Sequence, residues 1–326
     1  MFSLKKFETP EEYAVFKDSC DYTMPNVTLT EQNDRVYYNR QIQVGDYLYD
    51  DGTICSCLIE GKKPLAICVI DADTIGDDYY RFMTMKSYVE LKWDADSVHT
   101  DSSTWWDSPL EKIGGFPKLN QETGEYEGDI SNSALLTFPN ADQYDNRTVV
   151  INGWYYQAWD GELGNRGYVP PAFNADGTKN EIYWMDRLSN GKKNALTTFD
   201  GKERTDILAQ HLDERDLQSI RFCKEFAPGI MDGEWYLPAL GEWALVMWNY
   251  PLFKEKITTS IVGGRHSFMA IDSYQSSTEG SLATEVGMNM SAPQELEGKK
   301  YAGTYLTGRN KDDARWTVPF LKIKKR

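Results

Sequence analysis

Side chains capable of chemistry are sparse in this chain. The three histidines, His99, His211 and His266, stand at neither triad nor ligand spacing from one another or from a cysteine. A histidine general base or zinc ligand needs such partners nearby. No G-x-S-x-G segment offers a serine nucleophile. The histidines are therefore read as surface or helix residues. Five cysteines stand at positions 20, 55, 57, 68 and 223. Their number is odd and their spacing is no disulfide framework. Cys55-x-Cys57 sits in strand-like sequence, which turns both thiols to one face, but no second Cys or His pair follows at zinc spacing. The expectation is buried, reduced thiols in a chain folded in a reducing cytosol.

Carboxylates, by contrast, are abundant, with 50 Asp and Glu. Asp71-Ala72-Asp73, Asp77-Asp78, Asp94-Ala95-Asp96, Asp213-Glu214 and Asp312-Asp313 could each supply the acid and base of a glycosidase. At this density such pairs arise by chance, and they are read as solvated loop positions. Asp71-Ala72-Asp73 and the pair Asp176 and Asn180 offer hard oxygens of the kind calcium takes. The expectation is nevertheless a protein without metal, cofactor or catalytic residues.

The formal net charge is −15 and the pI about 4.7. An acidic field repels a phosphate backbone, which excludes nucleic acid as partner. The basic run Lys322-Ile323-Lys324-Lys325-Arg326 is read as a solvated terminus. No apolar run approaches the ~18 residues of a membrane span, and the Met1–Phe7 segment leads into charged sequence, unlike a signal peptide. Twenty Tyr and ten Trp suit both β-sheet cores and surfaces that offer a rigid ring with a polar tip.

Two units follow from the pattern. Residues 1–43 form an attachment and oligomerisation module. Thr9-Pro10-Glu11-Glu12 starts a short helix, and Met24–Thr30 and Arg35–Asn39 read as strands around Gln32-Asn33-Asp34. So small a unit buries too little surface to stand alone. Residues 44–326 form the main domain. Val44–Ile54 is strand, Asp-Gly turn, strand; Lys63–Ile70 is a central apolar strand; Arg81–Met85 is another. Residues 90–180 are long loops anchored by Trp93, Trp105-Trp106 and Gly153-Trp154-Tyr155-Tyr156. One helix spans Thr205 to about Phe226, and a second runs from after Pro238 to Pro251. Strands are expected at 268–274, 283–290, 301–306 and 315–323. The class is α+β.

Three segments carry a resemblance. Gly233-Glu234-Trp235-Tyr236-Leu237-Pro238-Ala239-Leu240-Gly241-Glu242, Tyr274-Gln275-Ser276-Ser277-Thr278-Glu279 and Arg315-Trp316-Thr317-Val318-Pro319-Phe320-Leu321 resemble the end of a C-type-lectin-like domain. The branch is the one shared by formylglycine-generating-type proteins and the variable receptor-binding proteins of phages and bacteria. Val44–Ile54 and Lys63–Ile70 extend the resemblance, and residues 1–40 resemble the opening of structural proteins from crAss-like phages of Bacteroides. The enzymatic relatives need a late reactive cysteine pair, and here Cys223 is the last cysteine and stands alone. The Glu-Pro-Asn, Gln-Pro-Asp and Trp-Asn-Asp tripeptides of calcium-dependent sugar binding are absent as well.

The resemblance implies a binding protein. Trp235, Leu237, Pro238, Glu242 and Trp316 would form the structural heart, with Glu242 satisfying backbone donors near the Ser276-Ser277-Thr278 turn. The ligand-facing part would be residues 274–314, through exposed Glu279, Ser281, Leu282, Thr284, Asn289, Tyr301, Tyr305, Arg309, Asn310 and Lys311. Tyr and Arg suit recognition hot spots, and Ser and Asn give adaptable polar contacts. The implied role is a virion protein, a head or tail fibre component, that attaches to a host surface glycan or protein. Residues 1–43 would hold other virion proteins, and the chain would form a homo-oligomer, with a trimer as the fibre-like case. A virion protein serving assembly alone and a bacterial surface adhesin are the alternatives.

Overall fold

Apolar runs this short, cut by Gly, Pro and Asp, build many brief strands around few helices. The computed structural model describes residues 28–31, 36–39, 42–56, 58–59, 62–85, 89–98, 105, 108–111, 118–119, 126–127, 149–151, 154–156, 172–174, 176–188, 191, 193–258, 272–279, 284–290, 294–296, 299–301 and 304–325. It is an α+β protein whose sheets are mostly antiparallel.

β1 (Thr28–Glu31) and β2 (Val36–Asn39) pair antiparallel, the hairpin expected there. The helix expected from Thr9 lies outside the described residues. β3 (Tyr47–Leu48) and β4 (Ile54–Cys55) flank Asp50-Asp51-Gly52, where Gly52 takes φ 82°, a value only glycine adopts without strain. β5 (Ala66–Ile70) is buried along its whole length, as an unbroken apolar run requires. Asp71 caps α1 (Ala72–Ile75), and β6 (Tyr79–Thr84) and β7 (Val89–Lys92) follow. Within the region read as loops, β8 (Lys118–Leu119) pairs with β9 (Tyr126–Glu127), and β10 (Val149–Ile151) with β11 (Trp154–Tyr156). Then come α2 (Glu181–Trp184), α3 (Gly201–Ala209), α4 (Gln218–Glu225) and α5 (Leu240–Thr258). The chain closes with β12 (Asp272–Glu279), β13 (Thr284–Met290), β14 (Gln294–Leu296), β15 (Lys299–Tyr301), β16 (Thr304–Asn310), β17 (Ala314–Thr317) and β18 (Phe320–Lys324).

Two five-stranded sheets dominate, in the orders β18-β6-β5-β3-β4 and β16-β13-β12-β17-β7. α5 is apolar on every side from Trp243 to Trp248, and Leu240, Trp243, Ala244, Leu245, Val246, Met247, Trp248, Tyr250, Phe253 and Ile257 are all buried. It is the shared core of both sheets: Trp243 and Tyr236 pack on Phe320 of β18, while Trp243 also packs on Tyr274 of β12.

Four expectations need correction. The helix expected over 205–226 is two helices, and the first begins at Gly201. Between them Arg215 turns away to pair with buried Asp94, and the Asp216 carbonyl accepts from Ala95 N–H, so the chain spends its polar groups on tertiary bonds. Second, α5 passes through Pro251 for another two turns. A helix-interior proline costs about 3 kcal/mol, and burying Phe253 and Ile257 beyond it offsets this at roughly 1.5–3 kcal/mol each. Third, the strand expected over 315–323 is broken at Val318-Pro319, where the chain leaves one sheet for the other. Proline has no N–H for a ladder and suits such a corner. Fourth, several acids expected to be solvated are working parts: Asp94 is fully buried, and Asp77 forks onto the Arg81 guanidinium at 2.7 and 2.6 Å. Cys55, Cys68 and Cys223 are buried and stand outside any disulfide among the described residues, while Cys20 and Cys57 lie outside those residues.

Candidate functional site

The segment Gly233–Glu242 builds a base. Trp235, Leu237 and Pro238 are buried, as expected of core residues, and Trp316 packs half-buried at the margin of the main core. Glu242 is fully buried and accepts from Ala239 N–H at 2.7 Å, from the Tyr236 hydroxyl at 2.8 Å and from Arg81 Nε at 3.3 Å. Burial pushes its carboxyl above the usual range, and the Arg81 charge opposes the rise. Tyr236 is raised well above its ordinary value by burial. Glu242 thus caps its own helix and does not serve the Ser276-Ser277-Thr278 backbone.

That backbone is no turn either. It lies inside β12, where the register with β13 shifts between Tyr274 and Thr278. The irregularity turns backbone groups out of the ladder, and side chains collect them. Trp243 Nε1 donates to the Gln275 carbonyl at 2.7 Å, and Trp93 Nε1 donates to the Ser276 carbonyl at 3.0 Å. Ser277 N–H donates to the Pro238 carbonyl at 2.8 Å, and the Thr278 hydroxyl oxygen accepts from Leu240 N–H at 2.9 Å. The Gln275 side chain binds Ser219, Thr317 and the Leu91 carbonyl. The bulge and the start of α5 are therefore one locked unit. Tight packing demands glycine beside it: a Cβ on Gly241 would lie 2.4 Å from the Thr198 carbonyl oxygen, and one on Gly201 2.5 Å from Ala239 N.

From this base β13 and β16 run outward in an antiparallel ladder, and their register sorts the expected ligand-facing residues. Directly paired residues share a sheet face, and faces alternate along a strand. Tyr274 packs on α5 through Trp243 and pairs with Met288, which pairs with Leu306. The pairs Val286 with Gly308 and Thr284 with Asn310 belong to that helix-side face. Asn289 with Tyr305, Gly287 with Thr307 and Glu285 with Arg309 belong to the opposite one. Thus the structure brings Asn289, Tyr305 and Arg309 to one face and places Thr284 and Asn310 on the other. Tyr301 stands in a different sheet, paired with Tyr155 and Gln294. Ser281 and Leu282 lie outside the described residues.

Glu279 and Lys311 depart most from expectation. Both are fully buried, not exposed, and they form an ion pair. Glu279 also accepts from the Ser108 hydroxyl, and the Lys311 ammonium sits 4.8 Å over the Trp93 ring. Lysine and glutamate read as surface types, and only the arrival of Ser108 and Trp93 from a distant part of the chain makes them interior. Trp93 and Gln275 are the residues that sequence reasoning left without a role in the clamp. A lone Trp in polar sequence was the available signal for the first, and nothing local marked the second.

The metal candidates are spent on local bonds. Asp71 caps α1, Asp176 accepts from Thr178 N–H and hydroxyl, and Asn180 caps α2. Among the described residues no group of three or more His, Cys, Asp or Glu gathers as a metal site. Among the same residues no helix is long and apolar enough to cross a membrane.

No family model matches the chain, and no curated protein matches it. Among solved structures it is similar to a fimbrial protein from Bacteroides ovatus ATCC 8483, at 13% identity with a TM-score of 0.40 over 86% of this chain. The chain covers 48% of that protein's length.

Proposed function

We propose that this is a non-enzymatic attachment protein with a C-type-lectin-like platform, and that it meets a cell-surface glycan or protein with the β13–β16 face carrying Asn289, Tyr305 and Arg309. The observation that carries the reading is the register that gathers these three residues on the face away from α5. An aromatic, an amide and a guanidinium are the groups that hold a polar ligand while losing little side-chain entropy. The locked β12–α5 base supports the reading, because a surface held in shape before binding spares the cost of ordering it. Single contacts of this size are weak, and repetition in an oligomer built through residues 1–43 would make them useful. The carrier is a surface structure, either a bacterial adhesin or the Bacteroides phage virion that the resemblance implies.

The test is binding of purified protein to intact Bacteroides cells and to isolated capsular polysaccharide, with and without Tyr305→Ala plus Arg309→Ala. Saturable binding lost in the double variant supports the reading. Binding that the double variant retains moves the contact elsewhere. Absent binding, with incorporation into phage particles, replaces attachment by assembly. Immunogold labelling of cells and of particles assigns the carrier.

A further inference from the structure

A second surface shares no residue with this face. The chain reverses over Asn174–Thr178, closed by the bridge between Phe173 and Lys179, and Asn180 then starts α2, which ends at Trp184. The indole of Trp184 is fixed: its Nε1 donates to the Ala172 carbonyl at 2.7 Å, and it packs on Phe173, Tyr183 and Phe199 at centroid distances of 6.1, 5.1 and 5.8 Å. Yet it remains half-buried, and the exposed Lys179 ammonium sits 4.4 Å over its ring. An exposed lysine stem is mobile, and its hold on an aromatic face in water is weak. A rigid indole face covered by a displaceable cation is a place for another partially positive group.

We propose that Trp184 is a stacking platform for a neutral sugar ring, with Lys179 as the side chain that yields the face on binding. The C–H groups of a pyranose face carry the same sign of partial charge as the ammonium, so the ring quadrupole attracts them likewise. The rim suits hydroxyls. Glu181, exposed and three residues before Trp184 on α2, lies on the same helix side and accepts. Displaced Lys179 donates. Exposed Asp176 and Glu181 outnumber Lys179, and the chain carries a net −15, which disfavours an anionic ligand. The site uses none of the β13–β16 residues and stands or falls separately from that face.

The experiment titrates the full chain with mannose, galactose and N-acetylglucosamine oligosaccharides, and with oligogalacturonate as the anionic arm. NMR follows the Lys179 side-chain protons, which the indole ring current shields in the free protein. Neutral glycan should move them to ordinary lysine positions, and Trp184→Ala should weaken binding by about tenfold, the upper worth of one aromatic contact. Trp184→Phe should retain most of the affinity. Saturation by a glycan that leaves the Lys179 signals in place overturns the proposal, even where Trp184→Ala fails to fold. So does binding of oligogalacturonate alone, or no neutral glycan binding at millimolar concentration.

Discussion

The Thr278 hydroxyl oxygen accepts the Leu240 backbone N–H at 2.9 Å, so a residue 38 positions along the chain caps the helix that holds both sheets together. Helix starts leave N–H groups without internal partners, and most proteins satisfy them from the residue just before the helix. Here Glu242 supplies one acceptor from within the first turn and β12 supplies another. The cap is therefore also the joint between helix and sheet.

Thr278→Val keeps the shape and removes the acceptor. It should destabilise the protein by about 1–2 kcal/mol, the usual worth of a cap, as a lower urea midpoint at unchanged slope. Thr278→Ser should recover most of the loss. Equal stability of all three proteins would show that the cap contributes nothing.

Glycine at 241 is required by space, not by conformation. Gly241→Ala places a methyl against the Thr198 and Leu196 carbonyl oxygens, at 2.4 and 2.7 Å, and backbone cannot swing aside as a side-chain tip can. A loss of roughly 1–3 kcal/mol is expected from such overpacking, against the small gain alanine brings to an open helix site. Thermal unfolding of the variant, with Gly241→Ser beside it, measures the sign directly.

Lys311→Met should be among the most damaging single changes in the sheet. It leaves the Glu279 carboxylate buried without its cation, which costs about 3–5 kcal/mol at such pairs. Lys311→Met combined with Glu279→Leu should restore much of the stability, since two apolar residues carry no unpaired charge. A double-mutant cycle in denaturant decides it, and additive losses would refute the coupling.

Acid should weaken the fold through Asp77. Burial draws its carboxyl upward, but the hydrogen bonds and charge of Arg81 outweigh that and hold it below the usual range. A depressed folded value means the stabilisation is fully present above the unfolded pKa and is lost as pH falls through the folded one. Asp77→Asn should thus lower stability at neutral pH and flatten the decline between about pH 5 and the acid limit. Parallel stability curves for the two proteins would exclude Asp77 from acid unfolding.

Much of the local structure is legible in residue order. Ala66–Ile70 announces a buried strand because five apolar residues in a row leave no face for water. Asp51-Gly52 announces its turn because only glycine adopts φ 82° freely. Trp235 and Leu237 read as core through the resemblance, and residues 283–290 read as a strand, found as Thr284–Met290. What residue order could not convey is partnership at a distance. Pro251 reads as a helix end until Phe253 and Ile257 find a core to fill, and Ser276-Ser277-Thr278 reads as a turn until Trp93, Pro238 and Leu240 claim its polar groups. Glu279 and Lys311 read as surface because charge is costly to bury alone. They are interior because each arrives with the other's counter-charge, and only the folded chain brings them together.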